Sequence, residues 1–102
     1  MNHYFLEKLS GINYRMSVNE GNANQRLASE AENIVVFPAV DVPIEYRDEF
    51  VKLKKILNAS LDNVKFPLTI SRIRGIYNVT AAKYIKLLID IEYRLSNEDC
   101  DI

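Results

Sequence analysis

The segment LTISRIRGIYNVTAAKYIKLLIDIEYRL, residues 68–95, has the spacing of two helices joined by a tight turn. Thr69 and Thr80 each stand where a side-chain oxygen can accept the free backbone N–H groups of a helix's first turn. Apolar residues recur at helical intervals after each threonine, as Ile70, Ile73, Ile76 and Tyr77 and then as Val79, Ile85, Leu88, Ile89 and Leu95. This spacing predicts a helix-turn-helix over residues 69–95.

Gly75 falls inside the first of these two predicted helices. A glycine in the middle of a helix costs about 1 kcal/mol relative to alanine. We therefore expect either a close approach of the two helices at this position or an early end of the first helix, which would make that helix short.

Basic residues are concentrated in the second half of the chain. Residues 1–51 contain four basic and eight acidic residues, whereas residues 52–86 contain eight basic residues and only Asp62 as an acid. Clustered lysines and arginines are typical of nucleic-acid binding, because each neutralised phosphate releases condensed counterions. An ordinary solvated face of lysines is the competing interpretation.

In a helix-turn-helix the second helix presents its first turn to the DNA major groove, and the first helix crosses the backbone. The residues expected to face the groove are Thr80, Ala81, Ala82 and Lys83, followed by Tyr84. We expect phosphate contacts from a second set, Lys65, Arg72, Arg74 and Lys86. The alternatives are simple helix propensity for the alanines and packing against the preceding helix for Tyr84.

The sequence IRGIYNVTAAKYIKLL, residues 73–88, resembles the helix-turn-helix of small bacterial regulators of fimbrial and adhesin operons, in which a Val-Thr or Val-Ser pair opens the recognition helix. It is also similar in phase to the DNA-reading domain of bacterial DNA translocases. The resemblance covers residues 68–95 and implies binding to double-stranded DNA and transcription regulation. It departs from the winged members of these families, because residues 93–96 lead into an acidic tail without a glycine and a β-hairpin wing.

The first 40 residues have a mixed pattern. Ile12, Tyr14, Met16 and Val18 alternate with polar residues, which predicts a strand, and a turn at Ser10-Gly11 would make a short β-hairpin. A short N-terminal helix is the alternative. Residues 23–34 have helical spacing, and Pro38 in the apolar run 35–40 favours an edge strand or an extended connector.

A helix is predicted from about residue 42 to about residue 61. Asp41 can cap it, Pro43 suits its first turn, and Glu45 suits the positive end of its dipole. The buried face is expected to comprise Ile44, Phe50, Leu53, Leu57 and Leu61.

The length of 102 residues predicts one domain, and the helical spacings along it predict that this domain is mainly α-helical. Within it, residues 1–40 are a candidate dimer or partner region, residues 41–96 a helical core, and residues 97–102 an acidic tail. No run of residues has the length and apolarity of a membrane helix, and the N-terminus lacks a secretory pattern, so we expect a cytoplasmic protein without a membrane partner.

The inventory of reactive side chains does not favour an enzyme. The single histidine, His3, is near the N-terminus, and the single cysteine, Cys100, is in the acidic tail. No acid pair, metal-ligand spacing or glycine-rich phosphate loop is present, so we expect neither catalysis nor a cofactor or metal.

These patterns together predict a small sequence-specific DNA-binding regulator of bacterial, phage or plasmid type. One helix-turn-helix with few base-reading side chains binds weakly, so a homodimer on two half-sites is expected. The alternative is a helical protein-binding adaptor or inhibitor that makes no DNA contact. The acidic pI of about 5.8 favours this alternative.

Overall fold

The computed structural model of the chain describes residues 3–62, 70 and 72–100. These residues form a helical bundle, which confirms the mainly α-helical prediction, and none of them lies in a strand. The helices are α1 His3–Val18, α2 Ala23–Ser29, α3 Ala31–Val35, α4 Ile44–Leu61 and α5 Asn78–Cys100, with a 3₁₀ turn at Ala39–Asp41.

The long helix α5 is the centre of the bundle and packs against α1, α2 and α4. Both α1 and α4 run antiparallel to it. Ser10 Oγ in α1 donates to Glu92 Oε2 at 2.8 Å, and Asn13 Nδ2 three residues later donates to the earlier Leu88 carbonyl at 3.1 Å. Arg94 and Glu45 pair at 2.9 Å, which joins the late part of α5 to the start of α4.

The prediction of a strand or hairpin in the first 18 residues is wrong, and the alternative of an N-terminal helix is correct. Phe5, Leu9, Ile12 and Met16 are fully buried at intervals of three and four residues, which is the period of one helix face. Tyr14 lies on the exposed face. The alternation arose because a buried face and an apolar exposed face interleave along the same helix.

The helical spacing predicted over residues 23–34 is interrupted at Glu30, which separates α2 from α3. The single Nε–H of Arg15 is shared between both oxygens of the buried Glu30 carboxylate at 3.1 and 3.2 Å, and Arg15 Nη2 donates to Glu30 Oε1 at 2.9 Å. Asn33 Nδ2 donates to the same Oε1. The hydrogen bond to Glu30 raises the pKa of Arg15. This ion pair ties the break between the two short helices to α1.

The run 35–40 contains no edge strand. Val35 ends α3, residues 36–38 are a connector, and residues 39–40 belong to the 3₁₀ turn. Phe37 is buried, and its ring meets Phe5 edge-on with centroids 4.8 Å apart. Lys54 Nζ donates to the Phe37 carbonyl at 2.6 Å, which fastens the connector to α4.

The predicted helix at 42–61 is confirmed as α4. It begins after Pro43, which is the N-cap, and no side chain caps it, so Asp41 does not take the expected capping role. Four of the five predicted core residues are buried, whereas Ile44 is exposed because it lies in the first turn.

The first helix of the predicted helix-turn-helix is not formed in the described part of its range. Residues 70 and 72–77 are non-helical, and Gly75 has φ of 84°, in the left-handed region. Its expected cap, Thr69, lies outside the described residues. Ile73 is nevertheless fully buried, so its apolar character reflects burial in the core and not a helix face.

Hydrogen bonds from the α2 side chain Asn24 stabilise residues 73–76 as a loop and not as a helix. Asn24 Oδ1 accepts from the Ile73 N–H at 2.6 Å, and Asn24 Nδ2 donates to the carbonyls of Ile73 and Ile76 at 3.0 and 3.2 Å. The Asn24 N–H also donates to Asn78 Oδ1 at 3.0 Å. These four bonds, here called the Asn24 clamp, satisfy backbone groups that a helix would otherwise pair internally.

The second predicted helix is confirmed as α5, although it starts at Asn78, two residues before the expected cap Thr80. It continues through Cys100 without a break. The acidic segment that begins at residue 97 is therefore helical at its start.

Loss of the Asn24 clamp is expected to destabilise the protein. In Asn24→Ala, the buried Ile73 N–H loses its partner, and each such group costs about 1–3 kcal/mol. We expect the free energy of unfolding in urea to fall by at least about 2 kcal/mol. The exposed control Asn58→Ala should change it by no more than about 0.5 kcal/mol. Equal stability of the two variants would contradict the clamp.

In Gly75→Ala, the sign of the change in the free energy of unfolding shows whether Gly75 lies in a left-handed turn or in a helix. An alanine at left-handed φ costs about 1–2 kcal/mol, and no atom of the described residues lies within 4 Å of the added Cβ, so we expect the backbone conformation to dominate the effect. We expect Gly75→Ala to destabilise the protein in urea and Gly75→Asn to do so less, because asparagine tolerates this conformation. A helical Gly75 would give the opposite result, a gain of about 1 kcal/mol for alanine.

Candidate nucleic-acid interface

The predicted DNA-contact residues that the structure describes lie near one end of the bundle, where α4 ends and α2 and α5 begin. Ser60 Oγ near the end of α4 accepts from the Arg74 N–H at 3.1 Å, and the Asn24 clamp joins the same loop to α2. The loop of residues 72–77 therefore crosses the end of the bundle and leads directly into α5.

Arg72 and Arg74 are both exposed on this loop, on either side of the buried Ile73. Because the Ile73 side chain occupies the core, the chain turns its two neighbours toward solvent. Neither arginine forms an ion pair with a described residue.

The beginning of α5 is partly open to solvent. Val79 is 71% exposed, and Ala82 and Lys83 are exposed beside it. Ala81, expected to face the groove, is fully buried, because it lies on the helix side that packs into the core. Thr80 is half-buried at the edge of this surface.

Tyr84 is half-buried and packs against the core cluster. Tyr84 is therefore partly a packing residue, but its partner is the core cluster and not the preceding helix of the alternative, which is not formed over residues 70 and 72–77. The exposed face of α5 therefore comprises positions three and four residues apart, namely Val79, Ala82, Lys83, Lys86, Ile89 and Tyr93.

Lys86 is exposed but is not free of acidic neighbours. Its Nζ lies 2.9 Å from Asp90 Oδ2, and this hydrogen bond raises the pKa of Lys86, so the ammonium stays charged at neutral pH. Lys52 on α4 is likewise paired with Glu49 at 3.1 Å. Thr80, Lys83 and Lys86 line a shallow depression between α4 and α5 that also contains the two acids.

Lys65, the remaining predicted phosphate contact, lies outside the described residues. It belongs to a stretch of sequence without acids, since no Asp or Glu occurs between Asp62 and Asp90. The stretch between Asp62 and Asp90 is therefore positively charged, although the net charge of the protein is −1.

Sequence analysis missed the residues that shape this end of the bundle. Asn24 was read only as part of a helical segment, and its partners are 49 to 54 residues away in the chain. Asn22 and Gln25 form a capping box at the start of α2. That box has a readable signal, an asparagine three residues before a glutamine, whereas the loop contacts of Asn24 have none.

Within the described ranges, no three His, Cys, Asp or Glu side chains are grouped so that they could hold a metal ion. None of the helices described is long and apolar enough to cross a membrane. A comparison of the chain with protein-family models, curated proteins and solved structures gave no significant match.

Proposed function

We propose that this protein binds double-stranded DNA with the start of α5 and the loop before it, as a small transcriptional regulator of bacterial, phage or plasmid type. The observation that carries the proposal is the exposure of Arg72, Arg74 and Lys83 around the beginning of a 23-residue helix, in a stretch of sequence without acids.

The start of α5 supports this mode of binding by its shape. A major groove about 12 Å wide admits one α-helix. Val79, Ala82 and Lys83 lie on the exposed face of the first two turns, where small side chains allow close approach. Lys83 can donate to guanine, and Ala82 can contact a thymine methyl group. With so few base-reading groups, most of the affinity would come from phosphates.

The phosphate contacts in this proposal come from Arg72 and Arg74 before the helix and from Lys86 one turn after Lys83. Arginine suits phosphate because its planar guanidinium can donate two parallel hydrogen bonds. Lys86 must exchange Asp90 for a phosphate oxygen. The exchange is inexpensive, since the Lys86 side chain is 75% exposed and an exposed ion pair contributes only about 0.2–1 kcal/mol.

A homodimer is part of the proposal. A single helix with few base-reading side chains gives weak binding, whereas two linked copies on half-sites about one helical turn of DNA apart, roughly 34–36 Å, combine their binding free energies. The exposed side of α1, with Tyr14 and Val18 one turn apart, lies in the N-terminal region proposed for the partner contact.

Reversal of charge at Arg72, Arg74 and Lys86 should abolish DNA retention without unfolding the protein. All three side chains are exposed, so the triple change to glutamate removes phosphate contacts and adds repulsion. A gel-shift experiment with mixed-sequence duplexes should show complete loss of the shifted band, while the helical circular dichroism stays unchanged. Equal retention by the triple variant and the wild type would exclude this surface.

Lys83→Glu and Lys8→Glu form a matched pair for the same experiment. Both lysines are exposed on helices, but Lys8 lies on α1 above the Tyr4 ring. We expect Lys83→Glu to lower affinity about tenfold and to reduce the slope of log K against log salt, because it removes the proposed guanine contact and a positive charge at the duplex surface. Lys8→Glu should retain the wild-type slope. The proposal fails if both variants lose affinity equally.

Removal of the acid beside Lys86 should strengthen binding. Asp90→Asn frees Lys86 and removes a charge that repels phosphates, so we expect affinity for duplex DNA at low salt to rise about two- to fivefold. The control Glu32→Gln changes the net charge equally from α3. A similar gain for both variants would show that net charge alone controls binding.

One observation favours the alternative of a protein-binding adaptor. The exposed face of α5 continues beyond Lys86 with Ile89 and Tyr93, which are 50% and 69% exposed. An adaptor would bind its partner through this apolar part of the helix and would not be retained on a heparin column. A protein that binds phosphates would be retained on heparin, and its retention would fall steeply as the salt concentration rises. A salt-independent interaction lost in Tyr93→Ser would favour the adaptor.

A further inference from the structure

A second feature of the same end of the bundle is a cavity of about 430 Å³ between the start of α2 and the loop before α5. This volume is within the range of small-molecule sites, about 300–1,000 Å³. Its lining residues are Asn22, Asn24, Gln25, Arg72, Ile76, Tyr77 and Asn78. None of these is acidic, and Arg72 supplies a positive charge.

The amides of Asn22 and Gln25 have their oxygens already engaged. Asn22 Oδ1 accepts from the Gln25 N–H, and Gln25 Oε1 accepts from the Asn22 N–H, both at 2.9 Å. Because backbone N–H groups need acceptors, these bonds determine which arm of each amide is the oxygen. The arm left over on each residue is therefore an NH₂ donor.

The same reasoning applies to Asn78. Its Oδ1 accepts from the Asn24 N–H at 3.0 Å, which leaves its NH₂ group as the remaining arm. Asn24 itself has both arms in the clamp. Among the described lining residues, the cavity thus offers three amide NH₂ groups and one guanidinium as donors, while each amide oxygen already accepts one hydrogen bond within the protein. This donor set is complementary to an oxyanion that carries several acceptor oxygens.

Tyr77 adds an aromatic surface at the rim. It also lines the cavity, and it is 82% exposed, so most of its ring is not packed against the protein. Nucleic-acid bases stack on such exposed rings with little dependence on base identity. An anion-binding cavity beside an aromatic ring has the two elements that a nucleotide needs.

We propose that this cavity binds a nucleoside monophosphate, with the phosphate held by Arg72 and the amides of Asn22, Gln25 and Asn78, and the base stacked on Tyr77. This is a small-molecule site beside the duplex surface. The two sites share Arg72, but Asn22 and Gln25 line this cavity, whereas Lys83 and Lys86 line the separate depression between α4 and α5.

The first experiment is isothermal titration calorimetry of the full chain with adenosine monophosphate, inorganic phosphate and adenosine. We expect the monophosphate to bind at least about tenfold more tightly than either fragment, because only it meets both the donors and the ring. No detectable binding of the monophosphate at millimolar concentration would overturn the proposal. Adenosine binding as tightly as the monophosphate would also overturn it, and so would equal binding of inorganic phosphate.

Two variants separate ligand binding from folding. Asn22→Asp and Gln25→Glu keep the capping oxygens, and both new residues are suitable in a capping box, so α2 should remain folded. Each replaces an NH₂ donor by a negative oxygen. We expect either variant to lose monophosphate binding at least tenfold while its melting temperature stays near that of wild type.

Asn97→Asp is the matched control, because it makes the same chemical change at an exposed position near the far end of α5. It should bind the monophosphate as wild type does. Tyr77→Ala should weaken the monophosphate about tenfold and leave inorganic phosphate unchanged. Wild-type affinity in Gln25→Glu would exclude the cavity.

The Lys83→Glu variant distinguishes this site from the duplex surface. It should keep its affinity for the monophosphate after losing affinity for DNA. A protein that binds the monophosphate but no duplex would disprove the proposed function alone, and the reverse result would disprove only the nucleotide site.

Discussion

The interaction on which this structure depends is the hydrogen bonding of one buried amide, Asn24, to the loop that leads into α5. Its side chain pairs the Ile73 N–H and the carbonyls of Ile73 and Ile76, in a loop that is only partly buried. The Ile73 side chain is consequently held in the core, and its two arginine neighbours are held outside. The direction in which α5 leaves the loop also follows, since the Asn24 N–H bonds to the first residue of that helix. The proposed DNA surface and the proposed nucleotide cavity share this one support.

Much of the helical content could be predicted from local periodicity. The helices α4 and α5 have clear apolar faces, and their positions were correct to within two residues at the start of each. Helix α1 was ambiguous, because Tyr14 and Val18 form an apolar exposed face that interleaves with the buried one and imitates a strand. The prediction of a first helix in the helix-turn-helix failed over residues 70 and 72–77 for a different reason. The spacing of Ile70, Ile73 and Ile76 is helical, but the competing hydrogen bonds come from a residue about 50 positions earlier, which local periodicity does not reveal.

The candidate site was predictable in charge but not in geometry. The concentration of basic residues and the absence of acids around them can be counted from the chain. Their exposure and pairing cannot be counted in this way, because both depend on tertiary placement. Ala81 is buried, Lys86 is paired with Asp90, and Arg72 and Arg74 are exposed. The donor character of the neighbouring cavity follows only from knowing which atom accepts each hydrogen bond, although its Asn22–Gln25 box has a local sequence signal.

Hydrogen exchange and backbone chemical shifts from solution NMR test the Asn24 clamp most directly, residue by residue. We expect the Ile73 amide to exchange slowly, because it donates to a buried side-chain oxygen, while residues 72–77 show non-helical carbon shifts and helical shifts begin at Asn78. The Asn24 side-chain amide should likewise be protected. Consecutive helical shifts over residues 70–77, with protection that follows the helical pattern and not Ile73 alone, would contradict the clamp and restore the first helix of a helix-turn-helix.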